Sequence, residues 1–226
     1  MNPQALILRS AGTNCDAELA HAFRLAGAEP TRIHLHDLIE DPRRLDGFDL
    51  VGFPGGFSYG DDIAAGRILA NRLRHRLYDA LLAAIDRGVP MFGPCNGFQV
   101  LVKLGLLPDP HAGVQQATLA HNDSGRFIDR WTPVTVEPAS PCVWTRGLTD
   151  HDLPIAHGEG RFTAPSEVLD RLEADGQVAL RYAEDVNGSA RSIAGICDPS
   201  GRIFGLMPHP ERFTSWNQHP FWTRLP

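Results

Sequence analysis

Four short strand-like segments, ALIL (5–8), RIHLHDL (32–38), FDLVGF (48–53) and VPMF (89–92), are separated by longer segments with helical periodicity. Leu19, Ala20, Phe23 and Leu25 recur at helical spacing between Asn14 and about Ala28, and the pattern stops at Gly27. Residues 66–86 carry Ile68, Leu69, Leu73, Leu77, Leu81, Leu82 and Ile85, which predicts one long helix. Strand–helix alternation with apolar strands specifies an α/β chain: a mostly parallel central sheet with helices on both faces. The functional crevice of such a sheet lies at the carboxyl ends of its strands. PGGFSYGD (54–61) and GPCNG (93–97) follow the third and fourth strands, so both are expected at that edge, side by side.

Beyond about residue 115 the pattern changes. RWTPVTVEP (130–138), QVALRYAE (177–184), SIAGICD (192–198) and GRIFGLMP (201–208) read as strands joined by turns, with a hairpin signal at Asp198-Pro199-Ser200-Gly201. These predict antiparallel strands added to the sheet in the C-terminal half. No linker or charge run divides the 226 residues, which are expected to form a single domain, 1–226. A formal charge of −6 with scattered Lys and Arg gives no footprint for nucleic acid, and RLRHR (72–76) reads as a solvated helix face. No apolar run approaches the ~18–20 residues of a membrane span, and MNPQALILRSAG lacks the basic start of a signal peptide. Four widely spaced cysteines, Cys15, Cys95, Cys142 and Cys197, form no disulfide framework, so a reducing cytoplasm is expected.

The chemistry concentrates at Cys95. Gly-x-Cys-x-Gly between a strand and a helix is the cysteine form of a nucleophile elbow, where the flanking glycines relieve a strained turn. A thiol at the start of a helix gains from the helix dipole and from free backbone N–H groups, and the Asn96 N–H is expected to face a developing oxyanion. A second donor is expected from the Gly55–Gly56 pair, whose backbone can approach a carbonyl closely. Alone, the motif also fits a buried cysteine in a tight turn.

A thiol nucleophile needs a base, and the base an orienting group. Among ten histidines, His209 in MPHPER (207–212) directly follows a predicted strand, with Glu211 two residues on. His-Pro-Glu alone fits a surface turn equally well; the elbow, the glycine pair and His-x-Glu in one chain point together to acyl chemistry. His34 and His36 lie on one face of the second predicted strand without an accompanying Cys or carboxylate cluster, so no metal site is predicted. Cys15, Cys142 and Cys197 read as packing residues.

These residues resemble the class I (triad) glutamine amidotransferases, whose nucleophile lies in G-x-C-x-G-x-Q, here GPCNGFQ with Cys95 and Gln99, and whose late H-P-E is matched by His209 and Glu211. The chain is most similar to the family of glutaminase subunits of phosphoribosylformylglycinamidine synthase. The stretches that carry this are GTNCD (12–16), HAFRLAGAE (21–29), PGGFSYGDD (54–62), CNGFQVL (95–101), IAHGEGRF (155–162), NGS (187–189), IAGICD (193–198) and GRIFGLMPHPER (201–212). The resemblance implies a flavodoxin-like fold and hydrolysis of L-glutamine through a thioester on Cys95, with His209 and Glu211 as base and orienter. Gly55, Gly56 and Asn96 would serve the oxyanion, Gln99 the substrate backbone, and His157 and Glu159 the pocket or a subunit contact.

It further implies no cofactor in this chain. Ammonia would pass to a separate synthetase subunit, assisted by a small accessory subunit, which uses ATP and magnesium to convert formylglycinamide ribonucleotide to formylglycinamidine ribonucleotide. Three other readings stand beside it: an amidotransferase with another acceptor, a PfpI-like cysteine-elbow protein, and a docking subunit without catalysis. Pro94 and Asp62 depart from the family pattern, and the aromatic tail 216–226 is expected to pack on the domain or meet a partner.

Overall fold

The computed structural model describes residues 2–224; the ends of the two terminal segments read above, Met1, Leu225 and Pro226, lie outside it. The first apolar run forms β1 (Gln4–Arg9), with Ala5 to Leu8 buried, and leads into α1 (Asp16–Leu25), which seals Leu19 and Phe23 against the sheet. The second run departs from its expected course. The strand β2 (Glu29–His34) ends at His34, and Leu35–Glu40 is a helix, α2. His34 Nδ1 accepts the N–H of His36 at 3.2 Å and caps that helix, so the two histidines do not share a strand face. Leu35 and Leu38 are buried at a three-residue spacing, which helix satisfies and a strand does not.

β3 (Leu50–Gly52) is short, as is β4 (Met91–Pro94). Between them the single predicted helix is two, α3 (Arg67–Arg76) and α4 (Tyr78–Asp86), broken at Leu77 with φ −136° and ψ 1°. Leu73, Leu77 and Leu81 are all buried, so the apolar periodicity runs through the break although the backbone does not. Then follow α5 (Asn96–Leu104), β5 (Thr118–Ala120), β6 (Ile128–Val136), β7 (His151–His157) and β8 (Arg161–Thr163). α6 (Ser166–Ala174), β9 (Val178–Tyr182), β10 (Ile193–Cys197) and β11 (Ile203–Leu206) complete the regular elements.

Nine strands form one sheet in the order β2-β1-β3-β4-β11-β10-β9-β6-β7, while β5 and β8 form a separate antiparallel pair. The strands β2, β1, β3, β4 and β11 are parallel; β10, β9, β6 and β7 join through antiparallel pairings. One expectation is corrected here. β11 does not belong to the antiparallel extension alone: it pairs antiparallel with β10 but runs parallel to β4, from Ile203 opposite Met91 to Leu206 opposite Pro94. Residues that leave β4 and β11 therefore emerge at the same edge. α5 packs on this strand pair so closely that a Cβ on Gly205 would lie 2.1 Å from Phe98 Cδ2. Phe98 is fully buried there, which contributes about 2–3 kcal/mol by apolar transfer.

Pro94 ends β4 where β3 has already stopped, and the β3–β4 ladder closes with Phe53 N–H donating to Phe92 O at 2.8 Å. The tail, within its described part, packs through buried His219 on Trp131, ring centroids 4.6 Å apart, and leaves Trp216, Phe221 and Trp222 exposed. Among the described residues no helix is long and apolar enough to cross a membrane, and all four cysteines are free and buried.

Candidate active site

The elbow is built from backbone strain and two glycines. Cys95 stands between β4 and α5 at φ 49° and ψ −108°, a left-handed conformation that costs a non-glycine residue about 1–3 kcal/mol. Its N–H is held by Leu206 O of the adjacent β11 at 2.7 Å. The helix can start so close to β3 only because residue 97 lacks a side chain: a Cβ there would sit 1.9 Å from Phe53 O. Asn96 and Gly97 occupy the first turn of α5, where backbone N–H groups have no intrahelical acceptor. The Cys95 thiol lies in the mouth of the turn, 3.7 Å from Ala156 O.

His209 lies three residues beyond the end of β11, and the parallel β4–β11 pairing brings it to the same edge as Cys95. Its N–H donates to Pro154 O at 2.8 Å, which fixes the backbone. Its Nδ1 lies 2.6 Å from Glu211 Oε1, and both side chains are almost wholly buried. With the proton on Nδ1, the imidazole donates to the carboxylate and Nε2 is left as the working nitrogen. That Nε2 is buried and has no hydrogen-bond partner within the described residues. Burial works against the imidazolium, but the charges of Cys95 and then Glu211 outweigh it and raise the His209 pKa to about 10. The imidazolium is the state of His209 that this environment favours.

The glycine-rich loop after β3 closes the other side. Gly55 lies so near His209 that a Cβ would meet Cε1 at 2.8 Å, and Gly56, at φ +123°, would place one 2.6 Å from Asn14 Oδ1. Phe57 N–H and Tyr59 N–H donate to Gly12 O and Ala11 O, so the segment after β1 clamps this loop in place. Cys15, read above as a packing residue, is buried as packing requires, but its neighbours are those of the site. Its Sγ accepts from Arg212 Nη2 at 3.0 Å, and burial pushes its pKa up to about 12.

A cavity of about 240 Å³ opens over Cys95, walled by Gly56, Gln99, Phe127, His157 and Glu159. Asn96 Nδ2 donates to Gln99 Oε1 at 2.9 Å, and Gln99 Nε2 donates to Glu159 O, so the Gln99 amide joins the elbow to the segment after β7. Glu159 Oε2 in turn accepts the Ala65 N–H at 3.2 Å. Burial, and then the neighbouring His209 charge, hold the His157 pKa down at about 4, so its ring is neutral. Nδ1 of that ring lies 3.0 Å from Asn122 Oδ1, and Asn122 Nδ2 returns a bond to His157 O at 2.8 Å.

Three residues near the site had no role in the sequence reading. Asn122 and Cys15 are brought in by tertiary contact alone. Tyr182 is fully buried on β9, and its hydroxyl pKa is driven upward by burial and then by the Cys95 charge. An inward-facing tyrosine in QVALRYAE was the available signal. Cys15, His209 and Glu211 place one ligand-type atom each within 4.8 Å of the others. The Arg212 guanidinium already supplies positive charge there, and Glu211 is committed to His209, which leaves that donor set a poor cation site.

The family model of the CobB/CobQ-like glutamine amidotransferase domain matches residues 2–225. A phosphoribosylformylglycinamidine synthase subunit PurQ of Dehalococcoides mccartyi is 47% identical over 226 residues, covering 97% of this chain and 89% of the relative. A subunit of the same name from Methanococcus maripaludis is 41% identical over 224 residues, covering 93% and 82%. Among solved structures, a chain of PurLQS from Thermotoga maritima superposes with a TM-score of 0.79 at 36% identity, covering 96% of this chain and 92% of that one. The glutaminase domain of Trypanosoma brucei CTPS shares the fold, with a TM-score of 0.59 at 16% identity over 95% of this chain and 88% of that one.

Proposed function

From the premise that the chain belongs to the CobB/CobQ-like glutamine amidotransferases and to the PurQ subunits among them, we propose that it hydrolyses L-glutamine to glutamate and ammonia as the glutaminase subunit of phosphoribosylformylglycinamidine synthase. The observation that carries this reading is the buried His209–Glu211 pair in the turn after β11, the strand beside the Cys95 elbow. In the reaction, the Cys95 thiolate attacks the side-chain carbonyl carbon of glutamine. The electron pair of the carbonyl moves to oxygen, where the N–H of Asn96 and a donor of the Gly55–Gly56 segment take the charge. Nε2 of His209 gives its proton to the departing nitrogen, the C–N bond breaks, and ammonia leaves a thioester behind. The same nitrogen then takes a proton from water, whose oxygen displaces the thiolate and yields glutamate.

Glu211 keeps the imidazole in the required tautomer throughout. Gln99 acts on substrate binding through the loop it ties to Asn96, and His157 and Glu159 shape the wall. The whole chain acts as one amidotransferase domain in the cytoplasm. It needs no cofactor of its own, and ATP and magnesium act on the synthetase partner that amidates formylglycinamide ribonucleotide, with a small accessory subunit in the assembly. Phe57 and Phe127, both exposed beside the cavity with ring centroids 6.4 Å apart, and the exposed Ile63 give the synthetase an apolar rim to close on.

The test is glutamate release by the purified chain, alone and with the synthetase subunits, ATP, magnesium and nucleotide substrate. The expected result is low basal release, strong stimulation in the full mixture, and abolition by Cys95→Ser. Stimulated release that survives Cys95→Ser would contradict the proposal.

A further inference from the structure

Two sequence motifs, GTNCD (12–16) and the arginine that ends MPHPER (207–212), take no part in the reaction steps, and the structure joins them. Arg212 closes the turn that carries His209 and Glu211: its N–H donates to His209 O at 3.1 Å. Its guanidinium reaches across to the start of α1, where Nη2 donates to Cys15 Sγ at 3.0 Å and Nε to Glu18 Oε2 at 3.2 Å. Cys15 in turn holds the glycine loop after β3. Its N–H donates to Gly55 O at 3.4 Å. Its thiol donates to Asn14 Oδ1 at 3.4 Å, the atom that a Cβ on Gly56 would meet at 2.6 Å. A Cβ on Gly55 would lie 2.8 Å from His209 Cε1 and 3.4 Å from Cys15 Sγ, so Gly55 stands against both the base and the thiol. Burial pushes the Cys15 pKa up to about 12, which keeps the thiol protonated. A protonated thiol donates and accepts at once, as this position requires, and it does not compete with Cys95 as a nucleophile. Among the described residues no hydrogen bond joins loop 54–57 directly to turn 207–213; Cys15 is the partner they share.

We infer that Arg212 and Cys15 are positioning residues: their contact ties the Gly55–Gly56 loop to the His209–Glu211 turn and sets the spacing between oxyanion donor and base. The inference rests on the glutaminase reading, in which donor and base must address one carbonyl group. Oxyanion donors work only when aimed where charge develops, and a displacement of ~1 Å can cost ~10²-fold in rate. The turn has a second hold, His209 N–H on Pro154 O at 2.8 Å, so the part set free when the contact breaks is the loop.

The test compares Arg212→Met, which keeps an apolar stem and removes the donors, with Cys15→Ala and with the double variant, in the reconstituted complex. Each single variant is expected to lower glutamine-dependent kcat roughly tenfold or more with KM within about twofold, and to leave ammonia-dependent turnover native. The double variant is expected to lose no more than the worse single one, because both substitutions break one contact. Alkylation of Cys95 by iodoacetamide, which needs the thiol but no oxyanion donor, is expected to stay within about twofold of native. In hydrogen exchange of the purified chain, the amides of residues 55–57 are expected to exchange about tenfold faster in either single variant, with those of β1 and β4 unchanged. Native kcat in both single variants would overturn the inference, as would losses that multiply in the double variant. Cys95 alkylation that slows in step with kcat would place the damage at the nucleophile and overturn it equally. Unchanged exchange at 55–57 would overturn the tie itself. That readout needs no glutamine turnover, so its failure is separable from failure of the glutaminase reading.

Discussion

At Cys95 the backbone holds a left-handed conformation that only the surrounding contacts can sustain: Leu206 O on its N–H, and Phe53 O pressed against residue 97. Gly97→Ala places a methyl 1.9 Å from that carbonyl, so the turn must open. We expect a loss of about 3 kcal/mol in urea unfolding, at the upper end for overpacking, and no measurable glutaminase activity in the folded fraction. Glu211→Gln removes the charge but keeps an acceptor for Nδ1, and kcat should fall roughly 10²-fold or more with little change in KM. The pH dependence has a defined sign. His209 has a native pKa of about 10 against an ordinary 6.5, so its stabilising contribution is complete below pH 6.5 and is lost as pH rises through 10. Cys95 is the first of the charges that raise it, so urea midpoints measured from pH 6.5 to 10 should fall less steeply for Cys95→Ala than for the native chain. An equal fall in both would show that the thiol does not set the His209 charge. Cys95, His209 and Glu211 were legible from sequence because each sits in a local motif. Cys15, Asn122 and Tyr182 were not, because their nearness to the site is made only by tertiary contact.

The element that brings base to nucleophile is the β4–β11 pair. Two strands distant in sequence lie parallel and adjacent; Cys95 comes directly after the last paired position of β4, and His209 three residues after that of β11. Sequence pattern located both strands and the hairpin that precedes β11, but the hairpin signal concerns only the β10 side. The parallel pairing on the other side is a long-range choice, enforced by the fit of Phe98 over Gly205. Gly205→Ala puts a methyl 2.1 Å from that ring; we expect about 2 kcal/mol of destabilisation, read as a lowered thermal midpoint, together with reduced activity as α5 shifts. The break at Leu77 was illegible for a related reason: burial periodicity records which face is apolar, and both helices bury the same face in register. The missed helix α2 shows the reverse case, where HLHDL mimics strand alternation and the His34 cap decides for helix.

At the scale of the whole molecule, the sheet edge presents a glutamine-sized cavity whose rim carries exposed Phe57 and Phe127. Exposed aromatics beside the cavity over Cys95 fit a site that is completed by another subunit. Phe127→Asp should leave the isolated chain folded, with an unchanged thermal midpoint, and weaken its association with the synthetase by tenfold or more in a binding titration. Ala156 and His157 of β7, with the segment that follows it, wall one part of the cavity, and Gly56, Cys95 and Gln99 from the parallel half wall another.

If Cys95 releases ammonia for use by a partner, loss of the thiol costs the complex its use of glutamine and nothing else. The measurement that tests it most directly is product formation by the reconstituted complex containing Cys95→Ser, with glutamine or with ammonium as the nitrogen source. Glutamine-dependent synthesis is expected to disappear while ammonia-dependent synthesis continues at the native rate. Glutamine-dependent synthesis that persists without the thiol would contradict it.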